Sequence, residues 1–315
     1  MTGDAGGVGA GDVPAAGGEG ADSADDAENG DSADGAGGAD AADGAGGADA
    51  ADGAGGADDA DEAGAVTRVD LHVKVVDERV VERAKAAGLD VLVYAPHFEH
   101  LSTIAERAAR FSDEELLVVP AREYFTGKWS SRKHVLAVDP DYPVPDFLTL
   151  EDTMAELADQ DAAVLAPHPE FLTLSLDRED IATYAEWIDA VEVYNPKHWS
   201  RDNRRAREIA RESGLPTYLS SYAHLCSTVG EAWVELEAEV DSAADLVTAL
   251  REGVPRRMFH RNGLAHTLKC RAEFAHLGWE NSWDKFERVV LTDEEATHPA
   301  GEGYDDRFAE LNAYR

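Results

Sequence analysis

Histidine and glutamate residues recur along the sequence beside short apolar runs. The set comprises His72, His97, Glu123, His134, His168 and His224. Imidazole and carboxylate groups are the side chains that bind Zn, Mn and Fe ions in proteins. A single histidine beside a strand is more often a structural, hydrogen-bonded residue than a ligand. Repeated placement at successive strand ends is hard to obtain by chance, so the pattern favours a metal site.

The segments that carry these residues alternate between strand-like and helix-like patterns. The predicted strands cover residues 69–73, 90–96, 116–123, 133–139, 162–167, 190–194, 216–221 and 231–237. The predicted helices cover residues 78–88, 101–111, 149–161, 177–187, 200–213 and 242–252. This alternation predicts an α/β protein with a parallel sheet, open or closed. In a closed barrel the strand ends meet at one mouth, where the histidines would converge.

Seven short motifs resemble, in order and spacing, those of the polymerase and histidinol phosphatase (PHP) family. They are DLHVKV, YAPH, PAREYF, KHVLAV, APHPEF, VEVYN and SSYAH, within about residues 67–240. The similarity is greatest to the small stand-alone phosphoesterases of that family. The resemblance implies a distorted (β/α)7 TIM-like barrel that hydrolyses phosphomonoesters or phosphodiesters with bound divalent metals.

The resemblance also implies roles for individual residues. Glu123, His134 and His168 match the ligands of one metal, with Glu123 as the bridging carboxylate. His72 matches the first histidine of the opening D-x-H-x-H motif, and His97 and His224 match ligands of a third metal. One or two ions of Mn, Zn or Fe are expected. Candidate catalytic residues are Glu123, His72 and Lys74, and candidate substrate-binding residues are Lys74, Asn195 and Tyr222.

Three positions depart from the family pattern. Lys74 stands where the second histidine of the opening motif belongs, Pro96 replaces an Asp, and Tyr222 replaces the Asp of S-D-A-H. Two of these replacements, at Lys74 and Tyr222, fall on ligands of the same metal in the family. Their joint loss indicates a partly degenerate site. Lys74 could supply the charge of the missing metal and hold a substrate phosphate, or pair with Glu123. The alternative is that the site is inactive and Lys74 merely pairs with a carboxylate. Tyr222 could donate its hydroxyl to a phosphate or fill the vacated space.

Acidic side chains dominate the composition, with 64 Asp and Glu against 28 Lys and Arg and a formal net charge of −36. Residues 1–66 hold 17 of these acids and no Lys or Arg, which leaves 47 acids and 28 bases, or −19, on the rest. Such a charge argues against an extended nucleic-acid surface or binding to anionic membranes. Because concentrated salt screens self-repulsion, the acid-rich, lysine-poor composition predicts a halophilic, haloarchaeal-like protein.

Composition also divides the chain. Residues 1–66, with a nine-residue unit at Ala33, Ala42 and Ala51, are expected to be a disordered acidic low-complexity tail. An acidic lure, an inert spacer and a true start of translation near Val66 are alternatives for it. Residues 67–252 are expected to form the barrel, and residues 253–315 a C-terminal helical extension packed on it. With no apolar span of about 20 residues, no signal peptide and two cysteines, a cytoplasmic location is expected.

The leading hypothesis is a metal-dependent hydrolase of phosphoester bonds. A small phosphorylated metabolite, a nucleotide or an oligonucleotide end would be the substrate, with no membrane partner. The alternative is a non-catalytic barrel that acts in binding or assembly, as one barrel of this type does in ribonuclease P. The replaced ligands favour the alternative, whereas the acidic body disfavours an RNA-binding role. The sequence gives no indication of oligomeric state.

Overall fold

A computed structural model describes residues 65–128, 131–171, 174–290, 297–299, 304 and 308, without the side chains of 278–290. The acidic tail predicted for residues 1–66 thus lies outside the described residues, apart from its last two positions. Among the described residues, no helix combines the length and apolarity needed to cross a membrane.

Nine strands in the described part of the chain form one sheet, in the order β7-β6-β5-β4-β3-β2-β1-β8-β9. They are β1 (Thr67–Val73), β2 (Val91–Tyr94), β3 (Leu117–Thr126), β4 (Lys133–Val138), β5 (Ala163–Ala166), β6 (Ala190–Tyr194), β7 (Thr217–Leu219), β8 (Ala232–Leu236) and β9 (Arg256–His260). Just past β7, Ala223 bridges to Val73, and its carbonyl accepts a hydrogen bond from the Lys74 amide at 2.7 Å. The strands β1 to β7 therefore form a nearly closed, barrel-like sheet, and the predicted α/β class is confirmed.

The strands are not all parallel, which corrects the expected regular alternation. β4 runs antiparallel to both β3 and β5, and β8 runs antiparallel to β1 and β9. A parallel connection needs a dozen or more residues. Only residues 127–132 separate β3 from β4, too few for a parallel connection, and the two strands pair antiparallel.

Seven helices complete the described part of the chain. They are α1 (Glu78–Ala87), α2 (Leu101–Phe111), α3 (Leu150–Ala158), α4 (Arg178–Thr183), α5 (Ser200–Ser213), α6 (Ala243–Arg251) and α7 (Leu264–Val290). Two of them, α1 and α3, begin with ordinary side-chain caps, because Asp77 and Thr149 accept hydrogen bonds from the free amides of their first turns. Helices α1, α2, α3, α5 and α6 lie between or after strands at positions that the apolar periodicity predicts.

Residues 253–315, expected to be a helical extension, begin with a strand. β9 pairs with β8 along its whole length, and only then does α7 start. The first half of α7 contacts the rest of the fold through buried polar residues, among them Glu273, which is fully buried, and His266, which is 8% exposed. Its Trp279 and Trp283 side chains lie outside the description.

The sheet carries the main apolar core. One cluster of buried side chains draws members from β1 to β8 and from α6, including Val69, Val91, Val119, Leu136 and Leu165. Each such side chain stabilises the fold by about 1.5–3 kcal/mol relative to exposure. The strand ends that hold the polar cluster described next are therefore fixed by a packed, rigid sheet.

Candidate metal centre

One buried carboxylate is the centre of the site. Glu123 lies on β3, and its side chain has no exposed surface. Its Oε1 atom is 2.9 Å from Nδ1 of His134 and 2.8 Å from Nε2 of His168. All three side chains are buried, and their ligand atoms lie within 4.8 Å of one another, the arrangement of a group that could hold a metal ion.

The second oxygen of the same carboxylate faces three more nitrogens. Lys74 Nζ forms a hydrogen bond with Oε2, and Nε2 of His72 and of His97 lie 3.3 and 3.2 Å from it. The Lys74 ammonium also donates to the Ala95 carbonyl at 2.6 Å. Four imidazoles and one ammonium thus surround Glu123. The structure therefore brings six predicted site residues together, namely Glu123, His72, Lys74, His97, His134 and His168.

Strand geometry explains how these residues meet. His72 and Lys74 are two residues apart at the end of β1, so they point to the same side of the sheet. Because β4 is antiparallel to β3, its first residues lie beside the end of β3, and His134 pairs with Phe125. A histidine at the beginning of a strand therefore reaches the same mouth as histidines at the ends of its neighbours.

His168 is held by its backbone as well as by its ring. It adopts φ 35°, a left-handed conformation that is unusual for a residue with a side chain. Its amide donates to the buried Glu192 carboxylate at 2.7 Å, which in turn accepts from the Ser220 hydroxyl at 2.7 Å. Glu192 therefore acts on the site by fixing the loop that presents His168.

The hydrogen bonds of His168 fit a metal ligand. The Ser175 hydroxyl donates to the Phe171 carbonyl at 3.0 Å, so it accepts from Nδ1–H of His168 at 2.8 Å. That leaves the lone pair of Nε2 facing Glu123. The other ring nitrogen of His134, Nε2, is buried without a hydrogen-bond partner among the described residues. Two ligand atoms that each lie about 2.1 Å from one ion, at right angles to each other, are about 3 Å apart. The observed separations of Glu123 Oε1 from the ring nitrogens of His168 and His134, 2.8 and 2.9 Å, are close to this value.

Replacing Ser175 with Ala is expected to weaken metal binding about 10- to 100-fold, because the ring of His168 loses the acceptor that fixes its tautomer and orientation. Competition with a chromophoric chelator for Zn²⁺ would measure the change. Ser213→Ala, which removes a hydroxyl at the end of α5, is the matched control and should bind as the wild type does. Unchanged affinity in the Ser175 variant would contradict the ligand role of His168.

Burial sets the protonation of the cluster. It lowers the pKa of His72 to about 3, with help from the Lys74 ammonium, and the pKa of His134 to about 4. Burial also lowers the pKa of Lys74, to about 8. For Glu123, burial alone would raise the pKa, but Lys74 and the surrounding imidazoles hold it well below its ordinary value. At neutral pH the imidazoles of His72 and His134 are therefore neutral, the form that binds metals.

The metal-free protein is expected to lose stability as the pH falls from about 6.5 towards about 4. In the folded state His72 and His134 stay neutral in this window, whereas in the unfolded chain each takes up a proton below its ordinary pKa of 6.5. Each group lowers the free energy of unfolding by up to about 1.4 kcal/mol per pH unit. Urea titrations in EDTA at several pH values would measure the slope. A His134→Asn variant should show a flatter slope, and an equal slope would contradict this origin.

A second buried cluster lies beside the first. Lys197, in the loop after β6, donates to the carbonyls of Ser221 and Tyr222 and lies 3.1 Å from Oε2 of Glu273 on α7. The other oxygen of Glu273 accepts the amides of His224 and Leu225 at 2.6 and 2.7 Å. This pair fixes the loop after β7, in which Tyr222 has φ 49°.

Tyr222 faces the Glu123 cluster. Its ring centroid lies 4.8 Å from that of His72 and 5.3 Å from that of His168. The ammonium groups of Lys74 and Lys197 lie 5.8 and 5.0 Å from the centroid. The residue is partly exposed, and its hydroxyl has no hydrogen bond with the described residues. Burial raises the pKa of this phenol well above its ordinary value, so the hydroxyl keeps its proton.

Two predicted site residues make other contacts. His224 contacts Tyr222, with Nδ1 3.0 Å from the Tyr222 carbonyl oxygen, but makes no direct contact with Glu123. Asn195 is 1% exposed, and its side-chain oxygen accepts the amide of Lys197 at 3.1 Å. Asn195 therefore shapes the loop that carries Lys197, and its described contacts lie outside the Glu123 cluster.

Sequence reasoning missed three residues that hold the site, namely Ser175, Lys197 and Glu273. Lys197 follows a strand directly, as the histidines do, and it is one of only seven lysines in the chain. Those two signals together could have identified it. Ser175 and Glu273 carry no local signal, because only the folding of a loop and of α7 brings them to the mouth.

An arginine-rich cleft adjoins the site. One open part, of about 650 Å³, is lined by Glu170, Arg178, Arg201, Arg204, Arg205 and Glu208. The neighbouring part, of about 540 Å³, includes Phe171, Trp199 and Phe274. The ring of Phe171 stacks on His198 with centroids 3.8 Å apart, and the His198 centroid is 6.2 Å from that of His168. The cleft therefore begins one side chain away from a candidate metal ligand.

Comparison with known proteins supports the fold. A family model described as PHP-associated matches residues 200–255, which include Tyr222 and His224 but none of the residues around Glu123. The crystal structure of PsfC from Pseudomonas syringae PB-5123 is similar, with 19% identity, a TM-score of 0.52 and coverage of 67% of this chain and 99% of PsfC. At that identity the likeness shows the fold alone. No curated protein matches the chain.

Two other solved structures are more distant. An amidohydrolase from Chromobacterium violaceum has 14% identity and a TM-score of 0.43, with coverage of 60% of this chain and 97% of that one. The lesion-specific endonuclease PfuEndoQ from Pyrococcus furiosus has 14% identity and a TM-score of 0.44, covering 62% and 58%. Both likenesses are too weak to carry an argument about function.

Proposed function

We propose that this chain is a metal-dependent hydrolase of phosphoester bonds. The observation that supports it is the single buried oxygen of Glu123 placed 2.8–2.9 Å from ring nitrogens of His134 and His168. Three protein ligands leave further coordination positions for water and substrate, as in catalytic metal sites. When bound there, a divalent ion such as Mn, Zn or Fe would supply a Lewis acid and a water of lowered pKa.

The chain's own residues would perform three tasks around such an ion. Glu123, His134 and His168 would hold it, and Lys74 would orient Glu123 through its second oxygen. Tyr222, with a protonated and unpaired hydroxyl at the mouth, would donate a hydrogen bond to a phosphoryl oxygen. His72, which is neutral and buried against the Tyr222 ring, would keep that ring in place and exclude water.

The adjoining cleft supports a phosphorylated substrate with an aromatic part, such as a nucleotide. Residues 67–315 carry a net charge of −19, yet four arginines line this cleft, against the three acids Glu170, Asp202 and Glu208. Guanidinium groups match the geometry of phosphate oxygens, and an exposed aromatic face can stack on a base. Trp199 is 53% exposed, and the exposed Arg204 side chain has no ion pair with any described residue.

Replacing Arg204 with Ala is expected to raise KM for thymidine 5′-p-nitrophenyl phosphate about 5- to 30-fold, with little change in kcat. Loss of one charge-assisted contact, of about 1–2 kcal/mol, gives this range. KM for p-nitrophenyl phosphate, which is too small to reach the cleft, should stay the same. Arg207→Ala on the same helix, outside the lining of the cleft, is the matched control. Equal increases in KM for both substrates would contradict the proposed binding of the substrate in this cleft.

Metal content and activity of the same preparation test the proposed function. The chain, purified in high salt, should contain divalent metal by inductively coupled plasma mass spectrometry. It should hydrolyse p-nitrophenyl phosphate or its bis ester with added Mn²⁺, and His168→Ala should lose both metal and activity. Absence of bound metal, or full activity in the His168 variant, would refute the proposal. The alternative of a binding or assembly barrel predicts a stable, folded protein without hydrolysis.

A further inference from the structure

Two cation positions meet at the carboxylate of Glu123, one on each oxygen. The Oε1 position has the two ring nitrogens of the candidate metal centre. The Oε2 position has Nε2 of His72 at 3.3 Å and Nε2 of His97 at 3.2 Å, with the Lys74 ammonium on the same oxygen. Each side of the carboxylate therefore faces two imidazoles, and only one side already contains a positive charge.

The imidazoles on the Oε2 side lack hydrogen-bond partners. Both ring nitrogens of His72 and Nδ1 of His97 are buried without one among the described residues. A buried polar atom without a hydrogen bond carries an uncompensated desolvation cost, which an ion or ligand bound to it would offset. Nε2 of His72 and Nε2 of His97 face one carboxylate oxygen at 3.3 and 3.2 Å, which is the ligand set of a cation position.

We infer that the Lys74 ammonium occupies a second cation position formed by Glu123, His72 and His97, so that the chain binds one divalent ion where removal of Lys74 would allow two. The inference rests on the proposed function, because it takes the Oε1 side as the position of the first ion.

Charge and space explain why the ammonium excludes a second ion. Lys74 is anchored by the Ala95 carbonyl at 2.6 Å as well as by Glu123, so its Nζ cannot swing away without losing both bonds. Two like charges a few ångströms apart in a buried site repel strongly. Paired metals in such sites lie about 3.5–4 Å apart. The Lys74 ammonium already occupies the space beside Oε2 of Glu123 with a single charge.

Counting metal ions per chain tests this inference without any assay of activity. Wild-type protein saturated with Mn²⁺ and desalted should retain about one ion per chain. Lys74→Ala, which vacates the position, and Lys74→His, which adds a ligand, should each retain about two. Electron paramagnetic resonance should change from the signal of isolated Mn²⁺ to that of a coupled pair. Lys74→Arg keeps the charge and should stay at one, as should the control Lys133→Ala.

The outcomes separate the inference from the proposed function. One ion in the wild type and still one in both Lys74→Ala and Lys74→His would overturn the inference and leave the function standing. Two ions in the wild type would also overturn it, because the ammonium would then not exclude the second. No ion in any variant would overturn the function and the inference together. The histidine variant guards against a folding failure of the alanine variant, and thermal unfolding would verify both.

Discussion

Replacing Glu123 with Gln should remove metal binding and lower kcat/KM for p-nitrophenyl phosphate by about 10³-fold or more. The amide keeps the shape of the side chain but loses the charge that holds both the proposed ion and the Lys74 ammonium. Loss of several kcal/mol of charge stabilisation, of which about 4 kcal/mol corresponds to 10³-fold, gives the size of the effect. Kinetics and metal analysis on the same preparation would measure it.

The same variant should also unfold more easily. The Lys74 side chain is 4% exposed and would remain buried without its carboxylate partner. Breaking a buried ion pair in this way costs about 3–5 kcal/mol of stability. The matched control is Glu235→Gln, a glutamate of β8 that is 8% exposed and pairs with Arg68. It should retain metal and activity. A Glu123→Gln protein as active as this control would contradict the role given to Glu123.

Replacing Glu273 with Ala should destabilise the protein by about 3–5 kcal/mol. The change leaves the Lys197 ammonium, 1% exposed at its side chain, without its carboxylate, and it frees the amides of His224 and Leu225. Urea-induced unfolding followed by tryptophan fluorescence would measure the loss.

A double variant separates the charge of this pair from its shape. Lys197→Met combined with Glu273→Leu removes both charges while keeping apolar volume, so it should recover much of the lost stability. The hydrolytic activity of the double variant should nevertheless be below that of the wild type. The loop amides near Tyr222 that Glu273 binds would still lack an acceptor. If the single Glu273→Ala variant were as stable as the wild type, the pair would not hold the loop.

Much of the site follows from the sequence because strand ends are local features. The apolar runs identify the strands, and each histidine could be placed at the edge of the sheet without knowing the order of the strands. The direction of β4 did not follow from the alternation, although the six residues between β3 and β4 were too few for a helical crossover. His134 reaches the mouth because of that reversal.

The remaining features depend on contacts between distant segments. Glu273 meets His224 across 49 residues, and nothing in the local sequence of α7 indicates such a contact. Likewise, the sequence left open whether Lys74 contacts Glu123, and only the folded position of its ammonium shows that contact. The halophilic origin and the cytoplasmic location rest on composition and remain predictions.

Glu273 of α7 pairs with Lys197 and accepts two amides of the loop after β7, and these contacts bear on how the protein can be made. Residue 252 looks like a natural end of the barrel, yet a chain cut there would lack Glu273 while still enclosing Lys197. During synthesis the loop that presents Tyr222 and His224 likewise lacks its acceptor until α7 has left the ribosome. The protein should therefore acquire a competent centre only late in translation, and shortened versions chosen by the apparent domain boundary should fail.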